Sequence, residues 1–348
     1  MAKKAFVYDG TQWVDIAQST ADLSNYANMT TTPISGFRNA IINGDFRINQ
    51  RGFTSTTSNG AFTFDRWVTT VAGTQTYSTQ AFNPGESPSS GGINYLRIAT
   101  NAGASNYATI QQRIEDVRTF AGDTVTISFW AKAASGTPKI DFGPYQIFGT
   151  GGSSRVDVTN KTITLSTSWQ RFTHTVTIPS ISGKTIGTGS YLALELTVNN
   201  AFNSAVGQQT NTFDIWGVQV EKGTIATPFE QRPIGTELAL CQRYFYSIPG
   251  GELTIFNPYF GVNLGGGGQF IPTRHPVNMR VAPTMPSTTA FTYLQNAAGT
   301  ALGFNVGLGS NVFGFTGVYS SSSNSGSVLP STYAIGQNQA TISLSSEL

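Results

Sequence analysis

Thr124–Ala133 reads TVTISFWAKA, and its alternation decides the fold. Val125, Ile127 and Phe129 fall on one side, and Thr126, Ser128 and Trp130 on the other. A period of two is the pattern of a half-buried strand in an antiparallel sheet. The same pattern continues outward on both sides. Leu192, Leu194, Leu196 and Val198 share a face, with Glu195 and Thr197 pointing away. Trp216, Val218 and Val220 are expected on one face of the Asp214–Val220 segment. Phe172, His174, Val176 and Ile178 form a fourth set. Stretches such as 83–92 and 149–154 between them are Gly, Ser and Pro turn material. Several strands at this spacing predict a β-sandwich or jelly roll.

Two tracts bracket these strands. Asn39–Trp67 is NAIINGDFRINQRGFTSTTSNGAFTFDRW, and Phe213–Tyr246 is FDIWGVQVEKGTIATPFEQRPIGTELALCQRYFY. They read as the opening and closing strands of one sandwich over 39–232. Residues 233–246 form a linker with a short helix. Residues 247–348 read as a second, smaller C-terminal β-domain, with Ser320–Ser327 as a loop by composition. Residues 1–38 form a separate arm. Its Asp9-Gly10 is a hairpin signal, and Leu23 and Tyr26 share a face of a short helix too small to stand alone. The chain is thus expected to be all-β, with an arm, a central jelly roll and a distal β-domain.

Composition narrows the function. Only 11% of the 348 residues are charged and the formal net charge is +2, against roughly 25% charged in an average soluble protein. No Lys/Arg cluster of the kind that neutralises phosphates is present, so nucleic acid is not an expected partner. No apolar stretch reaches the roughly 18 residues of a membrane helix, so no membrane insertion is expected. The N-terminal MAKKAFVYDG lacks the apolar core of a signal peptide. Cys241 is the only cysteine, so no intrachain disulfide forms.

Catalytic chemistry is poorly supplied. The two histidines, His174 and His275, fall in different expected domains. A zinc site needs more His/Cys ligands than the chain has. His174 reads as a packed or hydrogen-bonded side chain. Gly265–Gly268 is followed by Gln269 and Phe270 and lacks the P-loop lysine. Glu115, Asp116 and Glu195 are the acids on strand-like segments that a glycan hydrolase would draw on, or else they are solvated or ion-paired. No catalytic residue is assigned. Asn43, Gly44 and Asp45, brought near Asp214, form either a structural calcium site or a plain turn. Sugars are held by aromatic faces with polar groups beside them. Trp130 offers such a face, or it fills a second core. Tyr259, Tyr293 and Tyr319 sit among polar residues and are candidate distal contacts.

A resemblance sharpens this. Ile42–Phe46 with Asp65-Arg66-Trp67, Ser128–Ala133, Val218–Gly223 with Ala226–Glu230, and Glu237-Leu238 with Cys241–Phe245 resemble, in order and spacing, the carbohydrate-binding-module-like jelly roll of bacteriophage tail fibres and virion appendages. The arm residues Phe6–Trp13 are similar to N-terminal segments of virion proteins from phages of cyanobacteria and other marine bacteria. Pro276–Thr284 resembles tail-fibre ends. The resemblance implies a homotrimeric structural protein of the virion tail, assembled in the host cytoplasm. It implies docking to other virion proteins through residues 1–38, with Phe6, Tyr8, Trp13, Leu23 and Tyr26 as the docking contacts. It implies host attachment through surface polysaccharide or lipopolysaccharide. No sustained heptads appear, which points to a short fibre. The alternatives are a capsid-surface fibre or decoration protein, a polysaccharide depolymerase, and an architectural tail adaptor.

Overall fold

The computed structural model describes residues 37–202, 205–248, 276–283 and 345–348, together with strand backbone at 6–8, 13–15, 268–274, 294–295, 301–302, 304–305, 314–320 and 342–344. The chain divides into two compact units, Met1–Arg38 and Asn39–Leu348. In the first, β1 (Phe6–Tyr8) pairs antiparallel with β2 (Trp13–Asp15), Tyr8 opposite Trp13. Phe6 and Tyr8 therefore lie on β1 and Trp13 on β2, while Leu23 and Tyr26 lie outside the described residues.

The second unit contains β3 (Ser55–Thr56), β4 (Trp67–Ala72), β5 (Thr76–Ala81), β6 (Asn94–Thr100), β7 (Tyr107–Glu115), β8 (Thr124–Ala133) and β9 (Lys139–Ile147). There follow β10 (Val156–Asp157), β11 (Lys161–Thr164), β12 (Gln170–Thr177), β13 (Tyr191–Asn200) and β14 (Asn211–Lys222). These strands form two antiparallel sheets. Sheet one runs β12-β8-β14-β6-β5-β3; sheet two runs β10-β9-β13-β7-β4, with β11 also paired to β9. The fold is all-β, as the alternation predicts.

The inner faces supply the core. Ile127, Phe129, Phe213, Ile215, Leu96 and Ile98 of sheet one meet Ile110, Phe142, Leu192, Leu194 and Leu196 of sheet two, all within a single buried cluster. Fully burying one such side chain is worth about 1.5–3 kcal/mol, so strands that lack a covalent brace are held by this layer.

One expectation about faces is corrected. Trp216 does not share a face with Val218 and Val220. Trp216 pairs with Trp130 and Val220 with Ile127, and the register of β14 against β8 shifts between Trp216 and Gln219. An extra residue there reverses the side-chain parity. Gly217 makes it possible with φ of 66°, a conformation that costs glycine nothing. A Cβ there would also lie 2.9 Å from the Trp130 ring.

The opening tract is tied across the closing strand. The Asn43 side chain accepts from the Ile48 N–H at 2.9 Å and donates to the Ile48 and Asp65 carbonyls. Trp67 Nε1 donates to the Asn43 carbonyl at 2.9 Å. Val218 N–H donates to the Gly44 carbonyl at 2.9 Å. This approach leaves no room for a side chain, since a Cβ on Gly44 would sit 2.1 Å from the Val218 carbonyl oxygen. The NGDF and DRW motifs are therefore the two halves of one knot.

After the sandwich come α1 (Ile234–Gln242) and β15 (Phe245–Ile248), then β16 (Gly268–Arg274), β17 (Leu294–Gln295), β18 (Ala301–Leu302), β19 (Phe304–Asn305), β20 (Gly314–Ser320) and β21 (Ile342–Ser345). β16 and β19 flank β20, and β15 pairs with β21. The chain thus returns to the sandwich: Glu347 pairs with Arg51 and Arg66, and the Arg66 guanidinium stacks 3.4 Å from the Tyr244 ring centroid. Buried Glu237 on α1 pairs with Arg232 at 3.1 Å and accepts from the Asn43 N–H. No helix among the described residues is long and apolar enough to cross a membrane.

Candidate binding face on sheet two

Alternation leaves each sheet with an outward face, and the two faces differ in kind. On sheet one an aromatic cluster stands at the outward positions Trp130 and Trp216, among polar ones such as Thr126, Ser128, Arg97 and Asp214. Trp130 and Trp216 lie 5.5 Å apart, and Phe229 packs 5.2 Å from Trp216. Phe82 touches Trp216, Tyr95 and Trp169. Arg171 covers Trp130, its guanidinium 4.8 Å from the ring, and also donates to Ser128 and to the Thr227 carbonyl. Trp216 is fully buried and Trp130 half-buried. Trp130 therefore stands in a small second core roofed by Arg171 and the 224–230 segment.

On sheet two most outward side chains are polar, with Val68 and Ala193 among them; they stand in rows across the strands, and Gln111, Thr109, Asp141, Tyr145 and Thr197 are buried there. Gln111 of β7, Glu195 of β13 and Gly143 of β9 face one another. The next row is Thr70, Thr109, Thr197, Asp141 and Thr162. On the other side lie Arg113, Ala193 and Tyr145, with Asp157 beyond. Side chains directly opposed on a face are within reach of one another. Tyr145 Oη donates to Gln111 Oε1 at 2.5 Å, and Gln111 Nε2 to Thr70 Oγ1 at 3.2 Å. Asn160 and Thr162 each donate to the Asp141 carboxylate at 2.8 Å. Gly143 permits this, since a Cβ there would meet Asn160 Oδ1 at 2.2 Å. Arg155 stacks 3.6 Å from the Tyr145 centroid and pairs with Asp157 at 2.5 Å.

Glu195 is the least committed member. Its carboxylate accepts one long bond, 3.5 Å, from Thr197 Oγ1. Burial pushes its pKa above the usual carboxylate range; nearby Arg155 pulls the other way, and Asp141 and Asp157 add to the rise. Burial likewise raises the Tyr145 phenol, which keeps it a neutral hydroxyl. The face therefore combines a carboxyl, an amide, several hydroxyls and a tyrosine ring. Such a set pairs with ligand hydroxyls and with ring C–H faces.

The residues singled out from sequence are dispersed. Asp214 is held by Arg97 in a two-pronged pair at 2.7 and 2.9 Å on sheet one. Asp45 pairs with Arg47 at 3.0 Å, and its pKa is pushed up to about 6, chiefly by burial. Asn43 spends its side chain on the opening knot. Among the described residues no group of three or more His, Cys, Asp or Glu stands where it could hold a metal ion. His174 Nε2 bonds the Thr159 carbonyl oxygen at 2.8 Å. Glu115 is gripped by Arg243 and Tyr244, and Asp116 pairs with Arg118. Tyr319 lies on β20, while Tyr259, Tyr293 and His275 fall outside the described residues. Gln111, Asp141 and Tyr145 were not singled out from sequence. The alternation of KIDFGPYQI, with Asp141, Gly143 and Tyr145 on one side, is the signal that marks them.

No protein-family model matches this chain. No curated protein sequence matches it either. Among solved structures, it is similar to the enzymatically active domain of tailspike protein 4 from bacteriophage CBA120. The identity is 16% over 54% of this chain and 22% of that one, with a TM-score of 0.36. It is also similar to TmCBM61 in complex with β-1,4-galactotriose, at 13% identity over 53% of this chain and 99% of that one, TM-score 0.31. A family 11 carbohydrate-binding module from Clostridium thermocellum, in complex with a mixed-linked tetrasaccharide, matches at 12% identity over 51% of this chain and 99% of that one, TM-score 0.31.

Proposed function

We propose that this chain recognises a glycan through the outward face of sheet two and presents that face on a virion appendage, a short trimeric tail fibre docked through residues 1–38. The observation that carries the recognition is Glu195, a half-buried and sparsely bonded carboxyl flanked by Gln111, Tyr145 and Thr197. Burying such a group is unfavourable unless it is hydrogen-bonded, and saccharide hydroxyls supply the missing bonds. The appendage reading rests on the motif resemblance of 39–246 and of the arm. Multivalent display would raise weak single-site affinity.

The face favours holding over cleaving. Glu115 lies opposite Tyr191, four residues along β13 from Glu195. At about 3.3 Å per residue that is about 13 Å, beyond the roughly 5–10 Å that glycoside hydrolysis requires. Asp141, nearer, has both oxygens bonded by Asn160 and Thr162.

A glycan microarray probed with the purified chain tests recognition, and Glu195→Ala should extinguish the signal. Light scattering tests the trimer, and cryo-electron microscopy of the virion tests its position. A wild-type chain that retains no glycan overturns the recognition. Density on the capsid shell moves the assignment to a head fibre, and enclosure by other tail proteins moves it to an adaptor. Release of reducing ends from a bound polysaccharide makes the chain a depolymerase.

A further inference from the structure

The polar face does not end at Tyr145. Along β13 the next outward position is Tyr191, opposite Glu115 and Ile147. Immediately beyond, Glu115, Asp116, Arg118, Thr188, Ser190 and Arg280 line an open cleft of about 470 Å³, a volume in the range of small-ligand sites. Its charges are unevenly matched. Arg118 pairs with Asp116 at 2.8 Å. Arg243 grips Glu115 at 2.9 Å, and Arg66 pairs with Glu347. Arg113 donates to a main-chain oxygen of Leu348, which also lines the cleft. Arg280 makes no direct salt bridge among the described residues; it donates to the Ser346 and Glu347 carbonyls at 2.8 and 3.1 Å, and Glu115 acts on its charge from across the cleft. Charged groups taken out of water are ordinarily paired; burial pulls the Arg280 guanidinium below its usual range, the Glu115 charge offsets part of this, and neighbouring Arg66 and Arg243 add to the fall. Guanidinium also matches planar carboxylate and phosphate oxygens better than an ammonium does.

We propose that this cleft is a second subsite of the same face, taking the carboxylate or phosphate of an acidic saccharide unit at Arg280, with Arg118 at its rim. The inference rests on the glycan reading of sheet two and gives it a chemical class: an acidic glycan whose uncharged units lie over Glu195 while one anionic unit enters the cleft. Ser190 is five residues from Glu195 along the chain, about 16 Å at extended rise, so the two subsites are bridged by an oligosaccharide and not by one sugar.

The test is an array of matched neutral, uronate-bearing and phosphate-bearing oligosaccharides, probed with the full chain and with Arg280→Gln, Arg118→Gln and Thr188→Trp. The first variant also loses backbone contacts and is the one most exposed to misfolding. The other two change exposed side chains, and the last fills the cleft. Wild type should retain an acidic oligosaccharide at least tenfold more tightly than its neutral match, a margin that shrinks with salt. Each folded variant should bring the two to parity while neutral binding stays within about twofold. Preference for uronate alone identifies a carboxylate ligand, and preference for phosphate alone identifies a phosphate. Equal retention of neutral and acidic members by wild type overturns the subsite and leaves the glycan face standing. So does an acidic preference that survives Arg118→Gln and Thr188→Trp. Retention of nothing overturns both.

Discussion

The two outward faces of the sandwich arise from one alternation and differ at their centres, aromatic on sheet one and polar on sheet two. On sheet one, Trp130, Trp216, Phe82 and Phe229 pack against one another, and Arg171 closes over them. On sheet two the outward layer is polar: Gln111, Thr197 and Tyr145 are buried in it, Arg155 lies over the Tyr145 ring, and Glu195 is half-buried. The difference teaches that an outward tryptophan on a strand is not by itself a platform for a ligand. What surrounds it decides, and here an arginine and a returning segment pack over the Trp130–Trp216 patch.

That comparison is broken most directly at Trp216. If sheet one's outer layer is core, Trp216→Ala should cost about 3–5 kcal/mol, read as a lower denaturant midpoint with the slope unchanged. A loss near zero would mean that the aromatic layer is a loose surface. Gly217→Ala comes next. It places a side chain at φ of 66° and against Trp130, and such strain costs on the order of 1–3 kcal/mol. Thermal unfolding reads it.

The sandwich and its core were legible because Val, Ile, Leu and Phe alternate cleanly in β8 and β13. The face of Trp216 was not, because the bulge at Gly217 changes parity without changing composition. The candidate site was half legible. Glu195 could be read as pointing away from Leu194 and Leu196. Thr197 could be read beside it, but Gln111 and Tyr145 could not, because they come from β7 and β9 and register is set by tertiary pairing. The Trp130 alternatives turned on Arg171 and Phe229, which no local pattern connects to it.

Smaller effects sharpen the polar side of the comparison. Glu195 has its folded-state pKa above the unfolded value, so the folded chain holds that proton more tightly. Its contribution to stability is therefore full below the usual glutamate range and is lost as pH rises through the raised value. Glu195→Gln should flatten that part of the stability–pH curve, checked by melting temperature from pH 4 to 8; an unchanged slope would place the pH dependence elsewhere. At neutral pH the same substitution should change stability by less than about 1 kcal/mol, a contrast with Trp216→Ala that chemical denaturation would show.

The central claim is that sheet two binds glycan and the aromatic face of sheet one does not. Affinity electrophoresis through gels containing a polysaccharide that retards the wild-type chain tests it with two variants, Glu195→Ala and Trp130→Ala. The account predicts that Glu195→Ala migrates as if the polysaccharide were absent, while folded Trp130→Ala is retarded like wild type. Retention of Glu195→Ala together with free migration of Trp130→Ala would contradict it and move the site to sheet one.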